Sequence, residues 1–168
     1  MLENLIRLVR DNVQDIVVNN NEIPNEKNDE VIHAASTSIF DTLKDKLASD
    51  NASELANVFN NGDAENSSVA QQAANSFTDK RAGMGISTDT AKTLAASVIP
   101  MVIAKLTKKT ADPSDGSFNI KDILGSLGGG GGSGFNLGNV MGMFNGSGEG
   151  QNKSEVGEDM LGKLKGMF

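Results

Sequence analysis

The chain has no cysteine, no tryptophan and no tyrosine, and its single histidine is His33. The missing thiols exclude a disulfide framework, a thiolate metal site and a cysteine nucleophile. With one histidine, neither a histidine metal cluster nor a serine–histidine triad can be assembled within one copy. His33 stands beside Asp29 and Glu30 on a helical pattern, where a solvated side chain is expected. Long apolar runs are missing too. The longest, Leu94 to Ala104, has 11 residues and contains Pro100, against the roughly 18 to 20 that a bilayer span needs. The opening MLENLIRLVRDNVQ carries charges every few residues, unlike the apolar stretch of a secretory signal. A cytoplasmic protein without a membrane span is the expectation.

The net charge of −7 is unevenly placed. Residues 1–66 hold 5 basic and 13 acidic side chains, whereas residues 67–127 hold 7 and 5. An acidic front half repels a phosphate backbone, so nucleic acid is not the expected partner. Such bipolarity suits contact between copies better. Glycine is also segregated: only Gly62 precedes Gly83, and residues 125–152 are dominated by Gly, Ser and Asn.

The front of the chain is written in helical periods. Leu2, Ile6, Val9, Val13 and Ile16 alternate spacings of four and three, with Leu5 and Val17 widening the stripe. After Asn19 to Asn21 and Pro24, a second helix is expected from about Asn25 to Ala48, with Ile32, Ala35, Ile39, Phe40, Leu43 and Leu47 inward. Asn51 and Glu54 have the spacing of a capping box for a short helix bearing Leu55, Val58 and Phe59. Ser68 and Gln71 have the same spacing ahead of Val69, Ala73, Ala74 and Phe77. Gly83-Met84-Gly85 breaks the chain. Ser87 then caps the most apolar helix, with Ala91, Leu94, Ala95, Val98, Ile99, Val102, Ile103 and Leu106 as core. Pro100 is expected to kink it.

The tail repeats itself. FNIKDILGSL, residues 118–127, returns as FNLGNVMGMF, residues 135–144, across a run of five glycines. In each copy a phenylalanine precedes an asparagine cap, and a β-branched aliphatic follows at the staple position: Phe118 with Ile123, then Phe135 with Val140. Ile120, Leu124 and Leu127 complete the first apolar face; Leu137, Met141 and Phe144 complete the second. A third echo, with Met160, Leu161 and Leu164, has no phenylalanine before it. Helices this short are marginal alone because nucleation is costly, so they need a surface to dock on. Glycine tethers let them reach one on their own core or on a neighbour. These thirteen apolar residues are the candidate interaction site.

Chemistry-bearing motifs are scarce. Placing Gly116 at the glycine of a calcium loop puts Ala111 and Pro113 at ligand positions, which rules out an EF-hand and leaves Asp112 to Gly116 as a turn. No Gly-Lys-Ser/Thr follows the glycine run, so it is no phosphate loop. The four Asn-x-Ser sequons, at Asn51, Asn66, Asn145 and Asn152, fall within a chain of 18 asparagines, and chance accounts for them. A helix-turn-helix can be drawn around residues 68–107, but its second helix is too apolar for a recognition helix, which needs polar residues facing the groove.

The stretch GISTDTAKTLAASVIPMVIAKLTKKTADPSDGSFNIKDILGSLGGGG, residues 85–131, resembles a bacterial family of unknown function grouped with YidB-like proteins. The glycine turn before a capped, alanine-rich helix, the Ile99-Pro100-Met101 step and the Leu-Gly segment running into glycines carry the likeness. It implies an all-helical core without an assigned activity or catalytic residue. Some YidB-like proteins look homeodomain-like, which keeps nucleic-acid binding as the alternative.

The fold expected is therefore all-α: a bundle of about five helices over residues 1–110, then a glycine-rich tail over 111–168 with short helices near 119–127, 136–144 and 153–166. The expected function is non-enzymatic self-association or scaffolding, with the protein itself as partner in a homo-oligomer. No cofactor, metal or small-molecule substrate is expected.

Overall fold

In a computed structural model, residues 2–49, 52–112, 114–118, 123 and 125 are described. Among them the secondary structure is helical throughout. The α-helices are α1 (Leu2–Val18), α2 (Asn28–Ala48), α3 (Ala52–Asn61), α4 (Ser68–Asp79), α5 (Arg81–Met84) and α6 (Thr88–Ala111), with 3-10 turns at Asn25–Lys27 and Gly116–Phe118. The all-α bundle is as the sequence implies, with α5 a single turn beyond the expected set.

The helix α2 is the hub. It packs on α1 along one side and on α4 along another, while α6 closes the bundle against α4, α3 and α1. Polar ends fix the directions. Lys46 near the end of α2 reaches Ser68 at the start of α4, and Lys80 just after α4 reaches back to Thr37 and Asp41, so α2 and α4 run antiparallel. Arg10 of α1 pairs with Asp29 at the start of α2 at 2.9 Å. Being covered on several sides, α2 buries Ser36, Ser38 and Thr42 as well as its aliphatic residues. Ser36 meets its need locally by donating to the Ile32 carbonyl at 2.8 Å.

One core cluster joins all six helices. In α1 the fully covered line is Leu5, Val9, Val13 and Val17, with Leu8 beside it, whereas Ile6 and Ile16 are only partly covered. The stripe is thus centred a little away from the Leu2–Ile16 line. In α2 Phe40 is half-buried, not core. All eight apolar residues expected inside α6 are inside, with Thr90 and Thr107 added. Each Leu, Ile or Val among them contributes about 1.5–3 kcal/mol on burial. The length and apolarity of α6 would suit a membrane span, and its inward face in the bundle accounts for both. The helix continues through Pro100 as one element. The carbonyl freed by the missing proline N–H belongs to Ala96, which is exposed, so water can satisfy it.

One cap differs from the expected pattern. Ser67, not Ser68, caps α4, its hydroxyl accepting from the Ala70 N–H at 3.1 Å. Glu54 bonds Lys46 and Ser68, while Asn51, its expected capping partner, lies outside the described residues. Ser87 caps α6 as expected, accepting from the Thr90 N–H at 3.1 Å. Thr90 in turn donates to Glu22 at 2.7 Å, tying the α1–α2 connection to the start of α6. Gly85, at φ +67°, ends α5 in the left-handed region.

Candidate functional site

The folded unit does not stop at residue 110. Phe118 and Ile123, the staple pair of the first tail phrase, are 4 % and 2 % exposed and belong to the bundle's own core. Ile123 and Gly125 are helical, as the capped phrase predicts.

A polar turn delivers them. After α6, the Asp112 carboxylate accepts from the Ser114 N–H at 2.9 Å, and its carbonyl accepts from the Asp115 N–H at 3.1 Å. Asp115 then faces both ways: its carboxylate takes Lys109 Nζ at 2.6 Å and the Ser117 N–H at 3.0 Å. Across the gap, Asn4 of α1 donates its side-chain N–H to the Ser117 carbonyl at 3.1 Å. The chain therefore reverses from the end of α6 to the beginning of α1. Phe118 enters the core at the point of reversal, from the 3-10 turn that packs on α6.

The turn carries its own electrostatic signature. The hydrogen bond from Lys109, then those from Ser117, hold the Asp115 carboxyl down at about 2. Asp112 is also lowered, chiefly by the Ser114 hydroxyl. Both groups are acceptors in their charged form, so their donors favour ionisation.

Of the thirteen candidate interaction residues, Phe118 and Ile123 are placed, and both are buried in the same chain. Ile120, Leu124 and Leu127 lie outside the described residues, as do Phe135, Leu137, Val140, Met141, Phe144, Met160, Leu161 and Leu164.

Sequence reasoning missed a second cluster. Lys46 Nζ lies 2.8 Å from Glu54 Oε2 and 3.0 Å from Ser68 Oγ, and the Ser68 hydroxyl also donates to the other Glu54 oxygen. Lys46 is 12 % exposed there. A serine beside a lysine and a carboxylate invites a nucleophile reading. However, the Lys46 and Ser68 hydrogen bonds lower the Glu54 pKa, and a carboxylate with a lowered pKa is a poor base for a hydroxyl. The arrangement joins α2, α3 and α4 as a tie. His33 is exposed at the edge of an open cleft of about 390 Å³ that it shares with Thr37, Lys80 and Met84. Among the described residues no three of His, Asp and Glu come together as a metal site.

The exposed cations of α6 do not share a face. At about 100° per residue, Lys92 lies roughly 140° around the helix from Lys105 and roughly 160° from Lys108.

Fold and site together define a class: a small all-helical bundle whose core takes in Phe118 and Ile123 from beyond its last long helix. No protein family, curated protein or solved structure matches the chain.

Proposed function

We propose that the protein is a non-enzymatic self-associating or scaffolding module, in which tail phrases dock on helical bundles, its own or a neighbour's. One observation carries this reading: the first phrase has its two staple residues buried in the bundle. A second phrase of the same grammar follows on a glycine tether, which raises its local concentration at any such surface. A cytoplasmic location and membership of the YidB-like family belong to the same proposal, the latter on the strength of residues 85–131.

Light scattering tests it, comparing the full chain with a chain ending at Leu127, which keeps Phe118 and Ile123. Mass rising with concentration in the full chain and a constant monomer in the shorter one is the expected result. Identical monomer masses at every concentration would refute assembly through the tail.

The alternative is nucleic-acid binding through the helices around 68–107, for which exposed Lys92, Lys105 and Lys108 would supply the cations although they stand on different sides of α6. It requires retention on duplex DNA at low salt that weakens steeply as salt rises. No retention removes it.

A further inference from the structure

The seat that holds Phe118 and Ile123 is read by an exact copy of its ligand's spacing elsewhere in the chain. The anchors of the first phrase recur 17 residues later: Phe118 at Phe135, Asn119 at Asn136, Ile123 at Val140, Gly125 at Gly142. The aromatic anchor is identical and the second anchor is one methylene smaller, which in a core costs about two- to tenfold in occupancy. The third echo does not fit. Aligned in the same way, Glu155 falls at the phenylalanine position, and an unpaired carboxylate is expensive to bury.

We infer that the seat between the start of α1 and the end of α6 is a receptor for the second phrase, residues 135–144 of the same chain, which takes it when the first phrase leaves. This rests on the proposal that tail phrases dock on the bundle and adds which phrase, on which seat. The apolar seat itself does not choose strongly between the two phrases; the polar turn does. Asp115, held by Lys109, and Ser117, held by Asn4, orient the first phrase. The corresponding positions before the second are Gly132 and Gly134, so no carboxylate is there to meet Lys109. The longer tether adds a modest handicap, since each doubling of a flexible loop costs about threefold. The first phrase therefore holds the seat at rest. Weakening it by the hundredfold or more expected of Phe118→Ala reverses the preference and leaves the first phrase free.

The absence of native cysteine makes a clean test possible in the full chain. Because Asn4 bonds Ser117, an Asn4→Cys, Ser117→Cys pair reports the first phrase in place. Asn4→Cys with Gly134→Cys reports the second, one repeat further on. The first pair is expected to cross-link in the otherwise unaltered chain, where the second does not. With Phe118→Ala and Ile123→Ala added, the second pair is expected to cross-link within one chain, read as a faster-migrating monomer on a non-reducing gel. Should that double variant lose its helical circular dichroism, Lys109→Ala with Asp115→Asn releases the turn while keeping both apolar anchors, and the yield of the second pair should still rise. A helical protein that never forms the second cross-link in either background overturns the inference, even if light scattering shows assembly. A covalent dimer in place of the monomer overturns the same-chain assignment.

Discussion

Truncating Phe118 to alanine separates a docked tail from a decorative one. A phenylalanine at 4 % exposure inside a continuous core loses about 3–5 kcal/mol on truncation when its surroundings cannot collapse. Here the loss has a ceiling, because the segment can undock instead of leaving a cavity, and undocking costs only the free energy that held it. We therefore expect about 3 kcal/mol, the low end of the range. Urea unfolding followed at the helical circular dichroism band measures it. With a slope of about 1–3 kcal/mol per molar for a domain of this size, the midpoint should fall by about 1–3 M. An unchanged slope means the segment remains docked around a cavity; a reduced one means it has already left, exposing its surface before global unfolding. Ile123→Ala should behave similarly, and the double variant should cost less than the two combined, since both anchors hold one segment. A midpoint within experimental error of the parent would refute the claim that the tail is part of the fold.

Other perturbations report on other parts. Acidification should loosen two contacts. The folded pKa values of Glu54 and Asp115 lie below their ordinary ones, so each adds stability that is complete above the ordinary carboxylate value and lost as pH falls through the folded one. Thermal melts should therefore decline below about pH 4, for Asp115 down to about 2, and Glu54→Gln should flatten part of that decline. Gly85→Ala should lower stability by about 1 kcal/mol by calorimetry, because the left-handed φ of +67° strains a Cβ even where space is open; Gly85→Asn should cost less. Ser38→Ala should be neutral or raise the melting temperature, since its buried hydroxyl finds no partner among the described residues.

How far these features could be read from sequence depends on whether they are periodic. The inward residues of α6 were fully legible because Ala91 to Leu106 repeat at helical spacing without interruption. In α1 the period was legible but its centre was not: Val9 and Val13 belong to both lines, and only the presence of α2 and α6 on adjacent sides draws Leu5, Leu8 and Val17 under cover. Hydropathy conceals the burial of Ser36, Ser38 and Thr42, because α2 is surrounded and small polar residues fit where helices crowd. The Lys46–Glu54–Ser68 tie had no signature, since its members come from three helices and meet only after those helices pack. Residue 110 looked like the edge of the fold because glycine becomes frequent soon afterwards. The contrary signal was the staple spacing of Phe118 and Ile123 next to an aspartate-rich turn, and it outweighs composition.

That turn also explains why the bundle needs its tail at all. The start of α1 is a helix end whose core face must be covered, and the end of α6 is where the longest described helix runs out. Phe118 lies seven positions after Ala111, a reach of at most about 25 Å, enough for one reversal and little more. The reversal brings the Ser117 carbonyl to Asn4 and an aromatic ring into the core just beyond it. First helix and tail are thereby tied together: Asn4 of α1 holds the Ser117 carbonyl, and Phe118 next to it is buried in the core. Whatever draws the tail away therefore breaks that bond and acts on α1 as well.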